Sequence, residues 1–133
     1  MIRVIYASRP TQLSPTDIED IEAVSARNNA ARGLTGILIH DAAFFLQIIE
    51  GPDEAVDALL RTLEKDPRHT DMAVVFRTRI DASSFPGWDM RLIENDAIQN
   101  PVLSPYATDN RIAPDSLLAT QLNALARDIA DYF

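Results

Sequence analysis

The segment Phe44-Phe45-Leu46-Gln47-Ile48-Ile49-Glu50-Gly51 constrains the fold more than any other stretch of this chain. Strand alternation puts Phe45, Gln47 and Ile49 on one face and Phe44, Leu46 and Ile48 on the other. Both faces are apolar, so the strand needs cover on both sides. Gln47 then lies in the interior, where its two donors and its acceptor must all find partners. Such an amide is either a satisfied core group or a polar contact reserved for a ligand. The residues around it bear on that choice.

The order of elements follows from local signals. Ile2 to Ala7 is β-branched and apolar and reads as a first strand. Ser14-Pro15 reads as an N-cap followed by proline at the first helical position, with Asp17 and Glu19 in the first turn. That helix is expected to run to Arg32 and stop at Gly33. Leu34 to His40 is a second strand, and Asp41-Ala42-Ala43 is the hairpin turn into the third, Phe44 to Glu50. Gly51-Pro52 opens a second helix, with Ala55, Val56, Leu59, Leu60 and Leu63 at helical spacing. Met72 to Ile80 is a fourth strand, Phe85-Pro86-Gly87 a turn, and Trp88 to Ile93 a fifth strand. The order is that of an α+β, ferredoxin-like βαββαβ sandwich with an added fifth strand and C-terminal helices. Two helices cover one sheet face. After a Pro-, Asn- and Asp-rich loop from Asn95 to Pro114, Leu118, Leu122, Leu125, Ile129 and Tyr132 recur as one stripe of an amphipathic helix. That helix is expected on the bare sheet face or in an oligomer interface. The division is 1–94 for the binding domain and 95–133 for the C-terminal loop and helix.

Composition narrows the function classes. A chain of 133 residues, 47% hydrophobic and 24% charged, fits one soluble globular domain. A net charge of −8 disfavours direct nucleic-acid binding and an anionic membrane surface. With no cysteine, disulfides and cysteine-ligated zinc are excluded. Two histidines, His40 and His69, disfavour a multi-histidine metal site. No stretch has the pattern of a signal peptide or the length of a membrane span, so a cytoplasmic location is expected. Glycine-rich phosphate loops and nucleophile elbows are absent.

Several polar residues fit poorly in a core. At about 100° per residue, Asn28 falls between the directions of Ile21 and Val24, and Asn29 near that of Ile18. Both are therefore expected to point inward at the end of the first helix. Helix-end asparagine is common, but two adjacent carboxamides also suit a flat heteroaromatic ligand with alternating carbonyl and imino groups. Tyr6 shares a strand face with Ile2 and Val4, and its buried hydroxyl needs a partner. Gln47 on a neighbouring strand is a candidate. Trp88 and Met90 are expected on one face of the fifth strand, as large adaptable groups able to repack. Arg68-His69 reads either as a solvated turn or as a polar rim at a pocket mouth.

Taken together, these residues resemble the BLUF family, blue-light sensors that use flavin. Five motifs in order carry the resemblance, across Ile2 to Ile93. They are Tyr6-Ala7-Ser8, Asn28-Asn29 with Gly33-Leu34-Thr35-Gly36, Phe45-Leu46-Gln47-Ile48-Ile49-Glu50-Gly51, Asp66-Pro67-Arg68-His69, and Trp88-Asp89-Met90. The resemblance implies a non-covalent flavin between the two helices, FAD foremost, with FMN or riboflavin presenting the same ring. It implies that Asn28, Asn29, Gln47, Arg68, His69 and Tyr6 contact the flavin. It implies that Tyr6 gives an electron and a proton to the light-excited ring, that Gln47 relays the proton and rearranges its hydrogen bonds, and that Trp88 and Met90 pass the signal outward. No substrate is turned over in such a protein. A short stand-alone sensor of this kind is expected to act as a homo-oligomer or through a separate downstream protein partner. Two other classes compete on the residues alone. An acylphosphatase-like hydrolase would need a phosphate-cradling loop that Ser8-Arg9-Pro10 does not provide. A flavin-free interaction module would have no use for Tyr6, Gln47 and both asparagines together.

Overall fold

The structure is a computed structural model that describes residues 1–40, 44–94, 104–106 and 119–132. The β-branched opening segment forms β1 (Ile2–Pro10), followed by α1 (Pro15–Arg32), β2 (Thr35–His40), β3 (Phe45–Gly51), α2 (Asp53–Glu64), β4 (His69–Arg79) and β5 (Arg91–Glu94). A 3-10 turn at Ser104–Tyr106 and α3 (Ala119–Tyr132) complete the described chain. The expected 41–43 hairpin turn, the 95–103 and 107–114 parts of the loop, and Leu118 lie outside the described residues, as does the side chain of Tyr132.

The strands form one sheet in the order β4-β1-β3-β2-β5. The first four pair antiparallel, and β5 runs parallel to β2. This is the βαββαβ arrangement with one added strand. β3 is central, and all seven of its residues are buried. Cover comes from both sides, as its two apolar faces require. Under α2, Val56 packs with Ile2, Val4, Tyr6, Leu34 and Ile49. Under α1, Ile18 packs with Leu38, Phe45 and Met90. On the opposite face, Leu122, Leu125, Ala126 and Ile129 of α3 pack with Ile5, Ile37, Ile39, Leu46 and Ile48. Each such side chain contributes about 1.5–3 kcal/mol when fully buried.

The helix signals operate locally as read. Ser14 caps α1, its hydroxyl accepting from Asp17 N while Asp17 accepts from Ser14 N. A cap of this type stabilises by about 1 kcal/mol. Gly33 ends the helix in the left-handed region at φ 71°, where a side chain would be strained. Two strand boundaries differ from expectation because pairing sets them. β1 extends to Pro10 and β4 begins at His69, since Arg9 and Pro10 pair with Thr70 and His69. The β1–β4 register shifts between Ile5 and Tyr6 and again between Ala7 and Arg9. Such irregularities bend a strand and re-aim its side chains, here on both sides of Tyr6.

The fifth strand is the larger correction. It begins at Arg91, so Trp88 and Met90 precede it and do not share a strand face. A turn closed by Trp88 N to Phe85 O, with Gly87 at φ 85°, re-aims the chain there. Trp88 stacks on Phe85, with ring centroids 6.0 Å apart, and joins the α3-side core. Met90 joins the core under α1. Two-residue alternation holds only inside a strand, which is why the sequence spacing misled.

Candidate functional site

β1 and β3 bring Tyr6 and Gln47 into direct cross-strand register. Both are buried, at 3% and 4% exposure. The Tyr6 hydroxyl donates to Gln47 Oε1. That contact fixes the amide's orientation, and its nitrogen then faces Met90, with Nε2 to Sδ at 3.9 Å. Burial pushes the Tyr6 phenol far above its ordinary range, and the nearby Asp66 carboxylate adds to the shift. The proton therefore rests on Tyr6 Oη in the resting protein.

α1 supplies the next group. Asn29 is 1% exposed, and its Nδ2 donates to the Asp89 carbonyl at 2.7 Å. Asn28 does not accompany it inward, because its position is exposed. The inward stripe is narrower than the helical wheel implied. Val24, which helped to define the apolar side, is 36% exposed, and Asn28 shares that outer direction. A second α1 residue, Glu22, accepts from Leu92 N at 2.6 Å. Glu22 and Asn29 are two turns apart on one helix face, so α1 is tied to the 89–92 segment twice. Gly36 makes room for this junction: a Cβ there would lie 3.0 Å from Met90 Cε and 3.6 Å from Asn29 Nδ2.

Arg68 and His69 follow α2 and are among the residues that line the cleft. The Arg68 guanidinium grips Asp66, with Nη2 to Oδ2 at 2.7 Å and Nε to Oδ1 at 3.0 Å. This pairing holds the Asp66 carboxyl below the usual carboxylate range and raises Arg68 further. His69 Nε2 contacts the Leu63 carbonyl at 2.6 Å, and Nδ1 contacts Ser8 Oγ at 2.7 Å. A carbonyl only accepts, so Nε2 carries the hydrogen, and in the neutral ring Nδ1 accepts from the Ser8 hydroxyl. The ring centroid lies 6.3 Å from that of Tyr6.

Tyr6, Gln47, Arg68 and His69 line one cleft together with Ile21, Ser25, Leu38, Phe45, Leu63 and Asp66. The space among these residues is about 380 Å³ with the open mouth and adjoining solvent included. Ser8, Glu22, Ser25 and Asp66 were not singled out from the sequence as site residues. Serines and acidic residues on a helix or loop look like surface groups, and only the contacts distinguish them. Among the described residues, no group of three or more His, Asp or Glu is placed to hold a metal ion. No helix of the described residues is long and apolar enough to cross a membrane.

The donor set fits a flavin. Apolar walls from Ile21, Leu38, Phe45 and Leu63 suit the flat ring, and the Gln47 amide suits its carbonyl and imino edge. Arg68 at the mouth suits an anionic tail. Comparisons with known proteins agree. The family described as sensors of blue-light using FAD, BLUF, matches residues 1–91. The photoactivated adenylate cyclase subunit beta of Euglena gracilis is 36% identical over 83 residues, which is 62% of this chain and 9% of that protein. The blue light- and temperature-regulated antirepressor BluF of Escherichia coli K12 is 27% identical over 138 aligned residues, 98% of this chain and 34% of that one. This chain thus spans a minor part of these relatives. A solved dark-state structure of BlrB, a BLUF protein, superposes with a TM-score of 0.86 at 30% identity, covering 99% of this chain and 96% of that one. With the family match extending over two-thirds of its length, the chain belongs to the BLUF family of flavin-binding blue-light sensors.

Proposed function

We propose that this domain switches through the hydrogen bonds of Tyr6, Gln47 and Met90, with FAD as the bound flavin. The observation that carries the reading is the buried chain from Tyr6 Oη through the Gln47 amide to Met90 Sδ, whose first two members line the cleft. When bound, the flavin supplies blue-light absorption and, once excited, an oxidant for the phenol. Tyr6 would then lose an electron to that oxidant and its proton to Gln47 Oε1, the acceptor it already contacts, and both would return to Tyr6 as the resting state reforms. An amide that has gained or redirected a hydrogen bond presents a different edge to Met90 and to the cleft. A buried amide has few satisfied arrangements, and they differ by about 1 kcal/mol or more. That supports two discrete states with thermal return to the first.

Asn29, whose amide donates to the Asp89 carbonyl, and Gln47 bind the ring edge. Arg68 and His69 guide the tail, and Arg68 does so by sharing itself between Asp66 and the ligand. Met90 and Trp88 carry the change outward. The domain turns over no substrate and acts in the cytoplasm through its own oligomer or a separate protein partner, without direct contact to nucleic acid or membrane. Residues 1–94 form the sensing unit and 95–133 the output segment.

The test is the visible spectrum of purified protein before and after blue light. A flavin spectrum that shifts reversibly to the red is the expected result. A bound flavin without that shift would end the switching proposal. Acid release of the chromophore and its mass identify FAD, FMN or riboflavin directly.

A further inference from the structure

The two strands that pair Tyr6 with Gln47 carry a second pair three residues away. Arg3 and Glu50 are also direct register partners. Three residues along a strand reverses the face, so this pair lies behind the first, on the side covered by α3. It is deeply buried, with side-chain exposures of 6% and 0%, and Arg3 Nη2 lies 3.2 Å from Glu50 Oε2. The cleft does not use it.

Its other contacts lead in two directions. Arg3 Nη2 donates to Ser84 Oγ at 2.6 Å, and Glu50 Oε1 accepts from Ser84 N at 2.9 Å. Arg3 Nη1 donates to Asn123 Oδ1 of α3. One guanidinium therefore joins the sheet, the segment before β5, and the helix on the far face. Arg3 Nε remains buried without a partner among the described residues.

The segment from Ser84 to Met90 connects the two pairs. β3 holds its first residue through Glu50 and its last through Gln47. Between them, Phe85 stacks on Trp88, the Trp88 carbonyl accepts from Gly36 N at 2.9 Å, and the Asp89 carbonyl accepts from Asn29. A change in how Gln47 meets Met90 alters one end of a short segment whose other end is clasped by Glu50 and Arg3.

We propose that Arg3 and Glu50 form the junction at which the 84–90 segment controls how α3 is held to the sheet, an inference that rests on the switching role of Gln47 given above. Movement of Ser84 redistributes the outer donors of Arg3 between Ser84 and Asn123, while Arg3 and Glu50 stay paired. The polar tether of α3 tightens or loosens accordingly, while its apolar stripe keeps it docked.

The test measures backbone hydrogen exchange across 119–132 in the full chain loaded with FAD, in the dark and under blue light. Wild type is expected to change exchange in α3 by roughly fivefold or more on illumination. Asn123→Ala and Ser84→Ala are expected to keep the spectral shift while dark and lit exchange in α3 agree within about twofold. Arg3→Lys retains the charge but cannot bridge the same groups, and it should behave like the alanine variants. A wild-type exchange response that persists in Asn123→Ala or Ser84→Ala would overturn the proposal. So would a wild-type spectral shift with no change in α3. Wild type with no spectral shift removes the switching role itself, and this inference with it, and the absorbance record distinguishes that failure from the other two.

Discussion

Strands β1 and β3 carry two buried polar side-chain pairs in direct register, on opposite faces and three residues apart. On the cleft face, Tyr6 and Gln47 are neutral. On the α3 face, Arg3 and Glu50 form an ion pair. The difference is one of cost. A neutral hydrogen bond can be exchanged for another at about 1 kcal/mol. Leaving one partner of a buried ion pair alone costs several times that. The neutral pair suits a group that must rearrange and return, and the charged pair suits an anchor whose two members stay together. Burial also holds the Glu50 carboxyl above its ordinary range, against the lowering effect of its Ser84 and Arg3 hydrogen bonds. The anchor thus carries a desolvation cost at neutral pH that the cleft pair avoids.

The largest effect should come from the neutral pair. Tyr6→Phe and Gln47→Leu are each expected to abolish the reversible spectral shift outright. Tyr6→Phe, which leaves Gln47 Oε1 without its donor, should cost about 1–3 kcal/mol in urea unfolding. A Tyr6→Phe protein that still shifts would erase the functional contrast between the faces. On the other face, Glu50→Leu should lower stability by about 3–5 kcal/mol, because it strands the Arg3 charge. Combining it with Arg3→Met should recover most of that loss. A double variant no more stable than Glu50→Leu would show that the pair is not acting as an ionic unit.

Smaller changes sharpen the picture at the junction. Gly36→Ala puts a Cβ 3.0 Å from Met90 Cε and 3.3 Å from the Ile48 carbonyl. The expected result is a loss of about 1–2 kcal/mol and an altered thermal recovery rate after illumination. Asn29→Ala removes the donor to Asp89 O and should weaken flavin binding by about tenfold, or roughly 1.4 kcal/mol, read by equilibrium titration. The smallest effect concerns the rim. The Asp66 carboxyl is held below its ordinary value of 3.8, first by its hydrogen bonds to Arg68. Its contribution is therefore complete above that value and is lost as the pH falls through the lower folded-state value. Asp66→Asn should reduce stability slightly at neutral pH, and the difference from wild type should close in strong acid. A difference that persists there would assign the effect to something other than the carboxylate.

Much of this was legible in the residues. Phe44 to Gly51 announced a strand covered on both sides, and Gln47 announced a polar group inside it. Ser14-Pro15 and Gly33 bounded the first helix, and Leu122, Leu125 and Ile129 marked a helix with one apolar side. These signals are local: a strand period, a cap, a left-handed stop, a helical stripe. Each is set by residues within a few positions of one another, so the chain determines them without knowing its neighbours. Tyr6 and Gln47 were legible as partners only because each was a polar group on a strand that must be buried.

Other features were decided between elements distant in sequence. The wheel gave Asn28 and Asn29 nearly equal claims to the interior, and the packing of α1 on the sheet admitted only Asn29. Alternation put Trp88 and Met90 together, and the turn at Phe85–Trp88 sent them to opposite cores. Glu50 read only as part of a motif, and no sequence signal singled out Arg3 or Asn123. Their meeting depends on the β1–β3 register and on where α3 docks. Neither is encoded in the spacing of any one segment, because both arise from the free energy of packing separate elements together.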